Sequence, residues 1–191
     1  IIANSNFTKN LGISIGLPKD KIRIIHPGCD KPIRIENDLQ KKAEEIFGES
    51  FPKILTVARL DRRKNHQSIL MCIRNLKEKY PKIKYVSIGD GDEKKGLLSL
   101  VKELKIEKHV VFVSQTDEKL KFALIKNANL FLMPSIVVKK SVEGFGISFI
   151  EAASYGVGSI GGKDGGASDA IINDKTGLIC NGNEIDSIYG S

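Results

Sequence analysis

The sequence predicts a doubly wound α/β domain built on a parallel sheet, and three observations predict it. From about Lys53 onward, short β-rich apolar runs alternate with longer segments of helical period. The connections between them are short, and Gly, Pro and Asp punctuate their ends. The composition is ordinary for a globular chain: 41% hydrophobic, 28% charged, with Gly 18 and Pro 6, which excludes collagen, low-complexity disorder and coiled coil. Strands that alternate with helices over short links require crossovers, a parallel sheet and helices on both faces.

Taken in order, Ile1 to Asn4 reads as a strand, Phe7 to Ile15 as a short helix, and Ile22 to Ile25 as a strand leading into His26-Pro27-Gly28-Cys29-Asp30. Residues 1–50 are expected to be the remnant of a preceding domain and the crossing out of it. Residues 51–191 are expected to form the complete domain. Lys53 to Val57 is a buried strand. Asn65 to Tyr80 is a helix with Ile69, Leu70, Ile73 and Leu76 on one face, stopped by Pro81. Lys84 to Ile88 is the next strand, closed by the turn-forming Gly89-Asp90-Gly91-Asp92. A helix follows over Lys94 to Leu104, with Leu97, Leu98, Val101 and Leu104 toward the core. Val110 to Val113, Leu130 to Met133, Val157 to Ile160 and a run near Gly177 to Cys180 are strands. Glu118 to Lys126 is a helix, and another runs through Ile150 to Tyr155. Ile185 to Tyr189 reads as a final helix cut short. Ligands of such sheets bind beyond the carboxyl ends of the strands, so the loops after Val57, Ile88, Val113 and Met133 are expected to line the site.

No apolar run approaches the ~20 residues needed to cross a bilayer. The opening Ile1-Ile2-Ala3-Asn4-Ser5 lacks an initiator Met and the layout of a signal peptide, so a fragment is expected. Lys plus Arg number 30 against 23 Asp plus Glu, a net charge of +7 that favours anionic partners or a solvated basic surface. The lysines are dispersed and Trp is absent, which argues against nucleic acid as a partner. Cys29, Cys72 and Cys180 are odd in number and far apart, and His26, His66 and His109 are scattered. Neither a disulfide framework nor a metal site is expected, and a reducing, cytoplasmic compartment is favoured.

Two loops carry chemistry. Arg59-Leu60-Asp61-Arg62-Arg63-Lys64-Asn65 lies directly between a buried strand and a helix. Backbone N–H groups and the positive end of the helix dipole meet there, and Arg59 and Lys64 would add a planar fork and a point charge suited to a diphosphate. The second is Glu143-Gly144-Phe145-Gly146, then Ile147 to Ile150, then Glu151-Ala152. Its glycines permit close backbone approach and open a helix with unpartnered N–H groups. Eight residues separate Glu143 from Glu151, which is read as placing both carboxylates on one side of that helix, for polyol hydroxyls. Gly156-Val157-Gly158-Ser159-Ile160-Gly161 matches GxGxxG by letter but straddles a strand. Gly156 is read as a helix cap and Gly161 as the following turn. Asp90-Gly91-Asp92 is read as a turn rather than a metal motif.

In this order Val57-Ala58-Arg59-Leu60…Lys64, Gly89-Asp90-Gly91, Pro134-Ser135, Glu143-Gly144-Phe145-Gly146…Glu151-Ala152, Gly165-Gly166…Asp169 and Thr176-Gly177-Leu178 resemble a family 4 GT-B retaining glycosyltransferase. The lead-in Asn4 to Thr8 and Ile24 to Asp30 resembles the interdomain crossing of such enzymes. The resemblance implies a Rossmann-like half of a two-domain architecture, binding a nucleoside diphosphate sugar and needing neither metal nor other cofactor. It implies that Arg59 and Lys64 hold the donor diphosphate. Glu151 would accept from ribose hydroxyls. Glu143 with the backbone of Phe145, Gly146 and Ile147 would face the sugar and β-phosphate. Gly89, Asp90, Gly91 and Gly144 join the donor-binding residues. The further partners implied are the N-terminal acceptor domain of the same protein and, for a full-length form, peripheral membrane contact. Gly158 stands where proline is usual, and Asp169 where glutamate is. A GT-B relative such as a sugar-nucleotide epimerase or a phosphorylase, and a non-enzymatic nucleotide-binding module, are the competing readings. A receiver-like module would need acidic residues where Arg59 stands.

Overall fold

The computed structural model describes residues 1–114 and 116–191. A small unit comes first: strand β1 (Ile2–Ala3), helix α1 (Asn6–Ser14) and strand β2 (Arg23–Ile24), the two strands paired in parallel. Ser5 caps α1, its hydroxyl accepting from the Thr8 amide at 3.0 Å, which satisfies one of the orphan donors of a helix start. Ile1, Ile2, Leu11, Ile15 and Ile25 of this unit are exposed.

Helix α2 (Asn37–Phe47) follows and was not legible in the sequence. Its buried residues Leu39, Ala43 and Phe47 recur only once per turn between Lys, Glu and Gln, a stripe too narrow to register as a face. Although it lies within the first fifty residues, these side chains join the core of the large sheet.

Then come β3 (Lys53–Val57), α3 (His66–Lys79), β4 (Lys84–Ile88), α4 (Lys94–Glu103), β5 (Val110–Val113), α5 (Glu118–Asn127), β6 (Leu130–Met133), α6 (Ile147–Ser154), β7 (Ser159–Gly162), α7 (Ala167–Ala170), β8 (Gly177–Cys180) and α8 (Ile185–Tyr189). The six strands form one parallel sheet in the order β5-β4-β3-β6-β7-β8. One core, around Leu55, Val86, Phe131 and Met133, lies under α2, α5, α6 and α7. The other, around Ile54, Tyr85, Leu132 and Ile160, lies under α3, α4 and α8. The alternation along each strand supplies both faces. This is the doubly wound α/β architecture that the alternation predicted.

The order reverses between β3 and β6, so the loops leaving these two strands diverge and open a crevice at the carboxyl edge. Three expectations are corrected here. Strand β7 runs Ser159–Gly162, two residues later than expected, so Gly161 is inside a strand and not a turn. A Cβ on Gly162 would stand 2.0 Å from the Ser135 carbonyl oxygen, so the strand depends on glycine where it passes the loop after β6. Leu98 is exposed; only Leu97 and Val101 of α4 are buried. Finally, α6 begins at Ile147, so Glu143 lies outside the helix and shares no helical face with Glu151.

Candidate functional site

At the crevice, the chain leaving β3 is held by the neighbouring loop. The Ala58 amide donates to Ile88 O at 3.0 Å and the Leu60 amide to Asp90 O at 2.9 Å. Gly89, at φ 142°, permits this approach: a Cβ there would stand 2.0 Å from Ala58 O. Asp90 Oδ1 accepts from the Gly91 amide at 2.8 Å and Oδ2 from Lys94 Nζ at 3.1 Å, which together hold its carboxyl below the usual range. Gly89, Asp90 and Gly91 thus brace the loop and are not part of the cleft described below.

The basic loop then tightens into a 3-10 turn over Arg62–Lys64, capped by Asp61, whose Oδ1 accepts from the Lys64 amide at 3.1 Å. Asn65 follows in the left-handed region, and its buried amide group donates to Pro134 O at 3.1 Å and Gly182 O at 2.7 Å. His66 opens α3 from inside the core, with Nε2 3.2 Å from Arg59 O and Nδ1 3.0 Å from the Tyr85 hydroxyl. Burial pushes its pKa down to about 4, so it is neutral at pH 7.

A turn with three residues per revolution sends neighbouring side chains apart. Arg62 is exposed, while Arg63 and Lys64 turn inward. The Lys64 ammonium donates to Glu143 Oε2 and lies 3.4 Å from Met133 Sδ. The same Oε2 accepts from Arg63 Nη1 at 2.9 Å. Burial lowers the pKa of Lys64, and the adjacent Glu143 carboxylate opposes that shift. Arg59 is exposed, and among the described residues its guanidinium has no hydrogen-bond or ion-pair partner.

Glu143 begins the glycine loop. Its carbonyl accepts from the Gly166 amide at 2.8 Å, and Gly146, at φ 92°, turns the chain into α6. A cleft of about 300 Å³ lies here, lined by Lys64, Glu143, the loop from Gly144 to Ser148, Asn4 and Pro27. The small N-terminal unit supplies one wall. Asn4 Nδ2 sits against Gly144, and the His26 ring stacks on Phe145 with centroids 5.3 Å apart. Asp169 Oδ1 accepts from the Asn6 backbone at 3.0 Å and its side chain at 2.7 Å, which fastens α1 to the domain. A larger recess of about 390 Å³ lies on the α3 and α8 side of the sheet. Its lining contains no charged side chain to meet a phosphate.

The structure therefore gathers Lys64, Glu143, Gly144, Phe145, Gly146 and Ile147 at one cleft. It leaves Glu151 apart, its Oε1 accepting from Lys121 Nζ at 2.8 Å. Sequence reasoning missed Arg63, Asn65, His66 and Asn4 as site-shaping groups. Asp61 three residues before Lys64 was the one available signal, since that spacing suits a capped turn.

A family model described as "Glycosyl transferases group 1" matches residues 37–190. The GDP-mannose-dependent alpha-(1-6)-phosphatidylinositol monomannoside mannosyltransferase of Mycolicibacterium smegmatis is 26% identical, over 96% of this chain and 49% of its own length. The N-acetyl-alpha-D-glucosaminyl L-malate synthase of Bacillus anthracis is 26% identical, over 85% of this chain and 41% of its own. In three dimensions, Anabaena Alr3699/HepE in complex with UDP and glucose superposes with a TM-score of 0.85 at 20% identity, covering 99% of this chain and 51% of that one. The chain spans about half the length of the mycobacterial mannosyltransferases it matches. Among the described residues no helix is long and apolar enough to cross a membrane.

Proposed function

We propose that this chain, which belongs to the group 1 glycosyl transferases, is the donor-binding half of a two-domain, family 4 enzyme that transfers a hexosyl group from a nucleoside diphosphate sugar with retention. The observation that carries the reading is the pairing of Lys64 with Glu143 at the crevice where the strand order reverses, beside the N-terminus of α6. A cation, a carboxylate and a run of helix-start N–H groups are what a diphosphate joined to a polyol requires in one place.

In this reading Lys64 leaves Glu143 for the donor diphosphate, and the exposed Arg59 closes on it from the loop. The bond between the anomeric carbon and the diphosphate breaks as an acceptor hydroxyl bonds to the same face of that carbon, its proton passing to the leaving diphosphate oxygen, where charge accumulates. Lys64, Arg59 and the N–H groups after Gly146 oppose that charge, so the barrier falls without a metal or cofactor being assigned. Glu143 accepts from the sugar hydroxyls. Glu151 is assigned to the ribose; its Oε1 is engaged by Lys121, and among the described residues Oε2 has no hydrogen-bond partner. The mycobacterial relative is GDP-mannose-dependent, and the structural neighbour from Anabaena is in complex with UDP and glucose. We therefore assign this chain a nucleoside diphosphate hexose and leave the base open.

The acceptor is assigned to a preceding domain of the same protein. Two short parallel strands and one helix with exposed isoleucines support this, since a lone two-strand unit is not self-sufficient. A cytoplasmic site with peripheral membrane contact of the full protein is part of the same proposal. Calorimetry of the chain against UDP, GDP, UDP-glucose and GDP-mannose tests the donor assignment. Binding of one nucleotide and its sugar, weakened in Lys64→Ala, is expected; no binding of any of the four overturns it.

A further inference from the structure

Arg63 has no role in the donor assignment above, yet it is fixed at every point. Its Nη1 donates to Glu143 Oε2 at 2.9 Å, the oxygen that also takes the Lys64 ammonium. Its Nη2 stands 4.0 Å from Asp61 Oδ2, while the other oxygen of Asp61 caps the turn. Its carbonyl accepts from the Ile136 amide at 2.9 Å, so the backbone is tied to the loop after β6. Its side chain is 17% exposed, against 12% for Glu143 and 11% for Lys64.

Two cations on one carboxylate oxygen are more than a resting ion pair requires. The second becomes necessary when a diphosphate, with about two negative charges, draws Lys64 away. A half-dry carboxylate left alone beside that diphosphate would repel it or follow Lys64. A guanidinium already seated on Oε2 prevents both and leaves Oε1 open to a hydroxyl. We propose that Arg63 is a positioning residue for Glu143, holding the carboxylate in place and neutralised while Lys64 engages the donor diphosphate. The proposal rests on the donor-site reading given above.

The test is calorimetry with UDP, UDP-glucose, GDP and GDP-mannose as probes, scored as the extra affinity of the sugar nucleotide over its nucleotide. In Arg63→Ala this increment is expected to fall about tenfold, and Arg63→Lys is expected to restore part of it. In a Glu143→Gln background, Arg63→Ala is expected to change the increment by less than about twofold, because the group it positions is gone. A purely structural Arg63 would weaken nucleotide and sugar nucleotide alike, and would do so in both backgrounds; that result overturns the proposal. Should Arg63→Ala not fold, Arg63→Gln carries the same comparison. A wild-type chain that binds none of the four probes, or shows no increment, defeats the donor reading and this proposal with it. A wild-type increment that survives in the Arg63 variants defeats the proposal alone.

Discussion

Among the described residues, two half-buried lysine–glutamate pairs have carboxylates eight residues apart in sequence, and they are built differently. In the pair of Glu151 and Lys121, the lysine comes from α5 and the carboxylate from the interior of α6, at 2.8 Å. Lys121 also lies 4.3 Å from the Phe122 ring centroid and 3.5 Å from Glu118. Its ammonium is satisfied on several sides, and the pair ties two helices together. The pair of Glu143 and Lys64 instead joins two loops, at the crevice where strand order reverses, with Arg63 as a second cation and a cleft of about 300 Å³ alongside. Similar burial does not make a similar setting: one pair bridges two helices, and the other bridges two loops beside a cleft.

Removing the lysine from each pair separates these roles most sharply. Lys64→Ala is expected to weaken nucleoside diphosphate binding by about 1.5–3 kcal/mol, the range for hydrogen bonds to charged groups, with little change in unfolding midpoint because Arg63 still serves Glu143. Lys121→Ala is expected to do the reverse in kind, lowering the thermal midpoint because Glu151, at 15% exposure, loses its cation. Calorimetry and thermal melts of both variants check this. Equal losses of binding in the two would erase the distinction.

The loop that presents Lys64 differs from the α5–α6 pair in a second way, since it hangs on a buried neutral histidine. His66 has a folded pKa of about 4 against 6.5 for the free side chain. The unfolded chain therefore binds the proton first, and stability falls as pH drops from about 6.5 toward 4, by at most roughly 3 kcal/mol. Urea unfolding between pH 7 and pH 4.5 is expected to show this loss in the wild type and a smaller one in His66→Asn. Parallel pH profiles would remove His66 as the cause.

Glu151 is the sharper test of the comparison. If its open oxygen meets the ribose, Glu151→Gln costs about 1–3 kcal/mol for nucleotide and sugar nucleotide alike. If the pair with Lys121 is structural alone, the variant melts earlier and binds as before. Paired measurement of melting and of UDP or GDP affinity decides between them.

How much of this was legible follows from where the physics is local. Lys53–Val57, Lys84–Ile88, Val110–Val113 and Leu130–Met133 were readable to the residue, because short, mostly apolar, β-rich runs alternating with helical segments fit the strands of a parallel sheet. Helix α2 was not readable, since Leu39, Ala43 and Phe47 matter only against a sheet that sequence does not display. The shift of β7 had the same origin: Gly161 and Gly162 look like a turn until the loop after β6 demands room beside them. At the site, the loops and their charges were legible, but their pairing was not. An eight-residue spacing between glutamates suggests a shared face only if the helix spans both, and α6 starts after the first. Arg62 and Arg63 are indistinguishable as letters; only the 3-10 turn turns one out and the other onto Glu143.

The smallest expected effect is the most discriminating. Glu143 holds the Lys64 ammonium, and on the proposed reading an incoming diphosphate competes with it for that ammonium. Replacing the carboxylate with an amide removes that competitor and one acceptor for the sugar at the same time. Glu143→Gln is therefore expected to leave nucleoside diphosphate affinity unchanged or raised, within about threefold, while the increment from the sugar falls by about 1 kcal/mol or more. Because burial lowers the pKa of Lys64 and Glu143 opposes that, the variant's lysine also titrates lower, and the gain in nucleotide affinity shrinks as pH rises. Calorimetry of wild type and Glu143→Gln at two pH values, with a nucleotide and its sugar, measures each part. A variant that loses nucleotide affinity as strongly as Lys64→Ala would show that Glu143 holds the loop in shape and does not stand in for the ligand.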